Sequence, residues 1–128
     1  MNQNKIVITG IGALAPNGNN VTEFWENLTK GVSGIAPITY FNTDDHKVKI
    51  AGELKNVSTD HIIDPKEIRK LDPFSIYAIL ATHEAIEMSG LNNQSFEFDR
   101  AGVVIGTGVG GIQTLENQHS TIENRGAR

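Results

Sequence analysis

Arg100-Ala-Gly-Val-Val-Ile-Gly-Thr-Gly-Val-Gly-Gly-Ile-Gln-Thr-Leu-Glu-Asn117 is the stretch on which the reading of this chain turns. Val103, Val104 and Ile105 form an apolar β-branched run that stops at Gly106, Gly108, Gly110 and Gly111. A helix-like sequence follows, from Gly111 to about Asn124. A continuous apolar run bounded by glycine suits a strand buried on both faces, as in a parallel sheet. The glycines let the backbone turn sharply and let another group approach closely. A phosphate, a substrate chain or another part of the protein would each suit such a turn.

Lys5 to Gly12 echoes this pattern, with an apolar run followed by Gly10-x-Gly12. Both stretches match the dinucleotide fingerprint, in which a helix N-terminus faces a pyrophosphate. The first match fails on context, because Pro16, Asn17 and Gly18 break the helix that should follow. The second keeps strand, glycines and helix. The acidic residue required about 20 positions on is missing from the sequence. Nucleotide binding is therefore a minor alternative.

Between these stretches the sequence predicts helices. Asn20 is a cap with Glu23 three residues later, as in a capping box. Val21, Phe24, Trp25 and Leu28 then share one helical face up to Lys30, and Gly31 is a stop signal. Trp25 reads as a core anchor. Val32 to Ser58 has no helical period and reads as a long irregular excursion with one short strand near Lys47–Ala51. Asp64-Pro65 opens a short helix to Asp72, and Asp72-Pro73 opens a longer one that ends at Ser89-Gly90. That longer helix is apolar nearly all round, which requires burial on several sides. Leu91 to Asp99 reads as a polar loop. The order β, α, irregular, short α, long α, β, α predicts an α/β layered fold. Two strands cannot close a sheet, so the chain is expected to be one part of a larger protein or tight assembly. In isolation it is expected to be poorly stable or to associate.

Composition narrows the classes. The 128 residues are about one domain's length, and the formal charge of −4 argues against general nucleic-acid binding. No apolar run approaches a membrane span. The N-terminal residues lack the apolar core of a signal peptide, so a cytoplasmic location is the expectation. There is no cysteine, which excludes disulfides, cysteine metal sites and a cysteine nucleophile within these residues.

Few side chains suggest chemistry by spacing. Asp44, Asp45 and His46 are adjacent and read as a solvated turn rather than a metal site. His83 can face Glu87 one helical turn on. His119 is isolated, and no Ser-His-Asp arrangement follows from spacing. Lys66, Arg69 and Lys70 stand at i, i+3 and i+4, which places three cations on one face of a short helix. In an acidic chain such a patch reads either as a solvated face or as a docking point for an acidic partner.

Taken together, the segments resemble the N-terminal part of the β-ketoacyl-acyl-carrier-protein synthases, most closely the synthase II type of fatty-acid synthesis. Those carrying the resemblance are Val7-Ile-Thr-Gly-Ile-Gly12, Pro16-Asn-Gly-Asn19, Gly31-Val-Ser-Gly-Ile35, Phe41-Asn-Thr43, Ile50-Ala-Gly52, Lys66-Glu-Ile-Arg-Lys-Leu-Asp72 and Ile105-Gly-Thr-Gly-Val-Gly-Gly111. They run in family order across essentially the whole chain. The resemblance implies a thiolase-like fold of layered α/β halves, incomplete in these residues, and a homodimer. Residues 1–128 would be the N-terminal portion of a ketosynthase N-terminal domain, with no second domain.

The resemblance also implies a reaction. An acyl group moves from carrier protein to a cysteine, malonyl-carrier protein loses its carboxyl group, and the resulting carbanion attacks the acyl thioester. Two histidines stabilise the developing oxyanion. No cofactor or metal is required, and the partners are acyl- and malonyl-loaded carrier proteins, with no nucleic acid and no membrane. Lys66, Arg69 and Lys70 match the basic positions that family members present to the acidic carrier, which favours docking. Val109, beside Gly108, matches the bulky residue, often Ile, that borders the acyl pocket. One methylene fewer there would widen the entrance, worth about 1 kcal/mol in chain-length preference. The family's catalytic Cys and His positions have no counterpart here, and His46, His61, His83 and His119 occupy none of them. The 128 residues alone are expected to be inactive. A chain-length-factor-like subunit or a polyketide ketosynthase is the alternative.

Overall fold

The structure, a computed structural model, describes residues 5–91 and 98–126. Most of the expected polar loop, positions 92–97, lies outside the described residues. The elements in order are α1 (Val21–Thr29), β1 (Ile35–Pro37), β2 (Ile50–Gly52), α2 (Pro65–Ile68), α3 (Pro73–Ser89), a single 3₁₀ turn (Phe98–Arg100) and α4 (Ile112–Arg125). No helix among the described residues is long and apolar enough to cross a membrane.

Helix boundaries follow local chemistry. The Asn20 side chain accepts from the Glu23 amide at 2.8 Å and caps α1. Glu23 reciprocates one residue earlier than a capping box requires, accepting from the Asn19 amide at 2.8 Å. Gly31, at φ 69°, follows the helix in the left-handed region. Asp64 caps α2 through the Lys66 amide at 2.7 Å, with Pro65 at the first helical position. Helix α2 is shorter than predicted, but i→i+3 bonds from Lys70 to Glu67 and from Leu71 to Ile68 continue its winding. Gly90, at φ 72°, ends α3.

The excursion after α1 holds two short strands rather than one. β1 and β2 pair antiparallel, Ile35 opposite Gly52 and Pro37 opposite Ile50. A tight turn over Pro16-Asn17, closed by Ala15–Gly18 bonds of 2.8 and 2.9 Å, presses against this hairpin. A methyl group added at Gly34 or Gly52 would come within 2.6 and 2.7 Å of Pro16 carbons. Asn19 Nδ2 donates to the Lys55 carbonyl at 2.8 Å, and Asn27 Nδ2 to the Asn17 carbonyl at 2.6 Å. This turn thus ties α1, the hairpin and the Lys55–Asn56 segment together.

Two carboxylates hold the excursion and the first loop. Glu53 is buried, 6% exposed. It accepts from the Thr39 amide (2.8 Å), the Thr39 hydroxyl (2.7 Å) and the Tyr40 amide (3.2 Å). Those bonds, led by the Thr39 amide, hold its carboxyl below the ordinary glutamate value of 4.5. A depressed folded value means the stabilisation is fully present above 4.5 and is lost as pH falls through the lower folded value. Glu53→Gln should therefore lose stability at neutral pH and flatten the acid limb of the unfolding curve below pH 4.5. Urea midpoints between pH 3 and 7 check this; parallel acid limbs for the two proteins would contradict it. Glu84, on α3, accepts from the Ala13 amide at 2.9 Å and from the Val21 amide at 2.8 Å. The second bond satisfies an orphan donor of α1 and sets a negative charge at its positive end.

Helix α3 is the element on which the rest assembles. Gly10 and Gly12 lie directly on its backbone at Ala85 and Ala81. Val103 and Ile105 share an apolar groove of about 330 Å³ with Ile79, Ile86 and Ile62. Only Leu80 is a buried hydrophobic among the described residues, 6% exposed.

Three expectations are corrected. Lys5–Gly10 and Val103–Ile105 are not strands, because neither finds a backbone partner among the described residues. Ile6 and Val104 are consequently almost fully exposed. A strand exists through its ladder, and an apolar run without one has no register to hold it. Trp25 is not a core anchor in these residues: it is 62% exposed, since no described element covers that side of α1. The expected burial of α3 on several sides is only partial, and Ile79, Ile86 and Met88 remain exposed. What stands is a mixed helix–strand architecture whose one sheet among the described residues is antiparallel.

Candidate functional site

Two surfaces matter, and one short segment joins them. The first is the cationic turn. Lys66, Arg69 and Lys70 are all exposed, on α2 and the turn that follows it. Only Lys66 of the three lies within the helix, which ends before Arg69 and Lys70. The three charges differ in availability. Lys70 Nζ lies 2.7 Å from Glu67 Oε1, an exposed pair that offsets part of its charge. Among the described residues no acid pairs with Lys66 or Arg69.

The second surface is the glycine turn from Gly106 to Gly111. Val109 stands on it, 73% exposed, next to exposed Gly108. The Gly110 amide donates to Thr107 Oγ1 at 3.1 Å, and the Ile112 amide to the Gly110 carbonyl at 3.0 Å. Gly110 has φ 74°, a conformation that favours glycine over any L side chain. Gly111 is the N-cap of α4 and supplies no capping side chain.

The join is Asp72. Sequence reading makes it a helix cap, yet its side chain makes no capping bond to α3. Its backbone carbonyl accepts from the Ser75 and Ile76 amides instead. The carboxylate is directed across the chain, where Oδ1 accepts from Thr114 Oγ1 and the group lies against Gly111. Nothing in the spacing of residues 42 positions apart signals that bond. Phe74, two residues on, lies beside Gly110, within 3.8 Å of where a methyl group there would stand. The segment that leaves Lys70 thus reaches the glycine turn within a few residues.

The remaining candidates are structural. His83 Nδ1 is 3.6 Å from Glu87 Oε2 and His119 Nδ1 is 3.7 Å from Glu123 Oε2, both exposed pairs on helix surfaces. Asp44 to His46 form an exposed turn in which the Asp44 amide donates to Asn42 Oδ1 and the His46 ring tilts against Phe41. Among the described residues no three His, Cys, Asp or Glu side chains converge on a possible metal site. The glycine turn is followed by α4 as a nucleotide site requires, but Asp72 puts a carboxylate against Gly111, where a phosphate would have to sit. Like charges there oppose a phosphate.

The comparisons with known proteins agree with the resemblance. Residues 3–127 match the β-ketoacyl synthase N-terminal domain. The 3-oxoacyl-[acyl-carrier-protein] synthase 2 of Staphylococcus aureus (strain COL) is 47% identical over 129 residues, all of this chain and 31% of the relative. The protein of the same name from Synechocystis sp. is 35% identical over 126 residues, 98% of this chain and 30% of the relative. The chain thus spans about a third of the length of the curated relatives it matches. Among solved structures, a type II PKS acyl-carrier protein in complex with its ketosynthase bound to the hexaketide matches with TM-score 0.73. It is 28% identical and covers 94% of this chain and 32% of the matched chain. The ishigamide ketosynthase/chain length factor shares the fold, with TM-score 0.75 at 24% identity, over 94% of this chain and 30% of that one. With residues 3–127, nearly the whole chain, matching the family's N-terminal domain, the chain belongs to the β-ketoacyl synthase family.

Proposed function

We propose that the protein carrying this chain is a 3-oxoacyl-[acyl-carrier-protein] synthase of fatty-acid elongation, acting in the cytoplasm as a homodimer. The observation that carries this reading is the 47% identity to synthases of that name along the entire chain. Residues 1–128 are the N-terminal portion of its N-terminal domain, part of a thiolase-like layered fold. Lys66, Arg69 and Lys70 meet the acidic carrier protein, and Gly108 and Val109 form one wall of the acyl pocket. The condensation conserves its electrons simply. Malonyl-carrier protein loses CO₂, and the C–C bond electrons left behind attack the acyl thioester carbonyl, expelling the cysteine thiolate. That cysteine lies outside these residues, because the chain has none. The basic turn and the pocket wall supply positioning, which lowers the entropy cost of bringing two loaded carriers to one centre.

The test is CO₂ release by the full-length enzyme from malonyl-carrier protein, with and without acyl-carrier protein. Release coupled to formation of a 3-oxoacyl product two carbons longer is expected. A protein that binds both carriers and forms no product would instead be a non-catalytic subunit of the chain-length-factor kind. Repeated extension without an intervening reduction would make it a polyketide ketosynthase.

A further inference from the structure

The role of Asp72 is not settled by the proposed condensation, and three observations bear on it. Its carboxylate does not cap the helix it precedes. It accepts from Thr114 Oγ1, in the first turn of α4. It also occupies the space that a side chain at position 111 would need, so a side chain there would push the carboxylate aside. Position 111 has φ −81°, which any residue can adopt, so the glycine there answers to the neighbouring carboxylate and not to backbone strain. Within the turn itself, the only side-chain bond among the described residues is that from the Gly110 amide to Thr107 Oγ1. The turn's position relative to α3 therefore depends on Asp72, helped by Phe74 beside Gly110.

We propose that Asp72 is a positioning residue for acyl-chain selection: by holding Gly111 and Thr114 it sets where Val109 stands. A negative charge at the start of α4 is favourable to that helix's dipole, so the anchor is electrostatic as well as steric. A looser turn lets Val109 move, and the pocket wall then discriminates acyl length less sharply. This inference rests on the acyl-wall reading of Val109.

The experiment uses the full-length enzyme with Asp72→Ala, Asp72→Asn and Thr114→Val. Two quantities are read: hydrogen exchange of the amides from Gly106 to Leu115, and the ratio of kcat/KM for short and long acyl-carrier proteins. Asp72→Ala and Thr114→Val are each expected to speed exchange about tenfold in that stretch. They should also change the chain-length ratio about three- to tenfold. Asp72→Asn retains an acceptor for Thr114 but loses the charge at the start of α4, so it should fall between wild type and Asp72→Ala in both. The double variant Asp72→Ala/Thr114→Val should be no worse than the stronger single variant, since both remove one bond. Gly111→Ala, damaging alone, should recover in the Asp72→Ala background. Unchanged exchange overturns the anchor, and faster exchange with an unchanged chain-length ratio overturns its role in selection. Failure of the condensation reading itself appears separately, as a wild-type enzyme without product.

Discussion

Reversing Lys66, Arg69 and Lys70 to glutamate in the full-length enzyme should weaken acyl-carrier-protein binding by about 2–3 kcal/mol. That is roughly thirty- to hundred-and-fifty-fold in Kd. An exposed ion pair contributes little, but each reversal both removes an attraction and adds a repulsion. The three changes are not equivalent. Lys70 is already paired with Glu67 at 2.7 Å, so Lys70→Glu should have the smallest single effect. Lys66→Glu and Arg69→Glu should carry most of the loss. Because these side chains are exposed, the wild-type affinity should fall with added salt, and the triple variant should lose most of that slope. Titration of carrier protein at two ionic strengths checks all three statements. Equal affinity of wild type and triple variant at low salt would remove the docking role from this turn.

The second large effect is on stability. Gly12→Ala is expected to cost about 3 kcal/mol, at the upper end for an overpacked site. The added methyl group would overlap the Ala81 carbonyl of α3, and backbone atoms at Ala85 close the other side. Neither neighbour is a flexible side chain that can swing away. Gly10→Ala meets the Ala85 carbonyl in the same way. Two control glycines separate this cause from others. Gly102 has open space and no positive φ, so Gly102→Ala should be near neutral. Gly31 has open space but φ 69°, so Gly31→Ala should cost about 1 kcal/mol through backbone conformation alone. Denaturant unfolding of the four variants gives the order Gly12, Gly10, Gly31, Gly102. A Gly12→Ala protein as stable as Gly102→Ala would mean that the first segment does not rest on α3.

The series also shows where sequence reading reaches its limit. Gly10 and Gly12 read as a nucleotide-binding pattern because the fingerprint records glycines and not what approaches them. Here the approaching group is a helix backbone, selected by Ala81 and Ala85 having nothing larger than a methyl group. Asp72 illustrates the same limit. Asp-Pro before an apolar run signals a helix start correctly, but it does not say where the carboxylate points. Glu84 has no spacing signal at all, yet it satisfies the Ala13 and Val21 amides. Glu53 likewise becomes a clamp only after the hairpin returns it to Thr39 and Tyr40.

What residue order determined was local: Asn20 and Asp64 as caps, Pro65 and Pro73 as first helical residues, and Gly31 and Gly90 as stops. These follow from backbone geometry and near neighbours, so a few residues suffice to specify them. Family membership was legible too, because seven short segments in a fixed order are far more specific than any one of them. Tertiary structure alone decided whether an apolar run became a strand. Lys5–Gly10 and Val103–Ile105 have the composition of buried strands but no partner among the described residues; Gly10 meets α3 at Ala85, and Val103 and Ile105 share a groove with Ile79 and Ile86. Pairing is a property of two segments, and no single run encodes its neighbour. The same reasoning applies to the glycine turn, whose place beside α3 is set by a carboxylate 42 residues away from the threonine it holds.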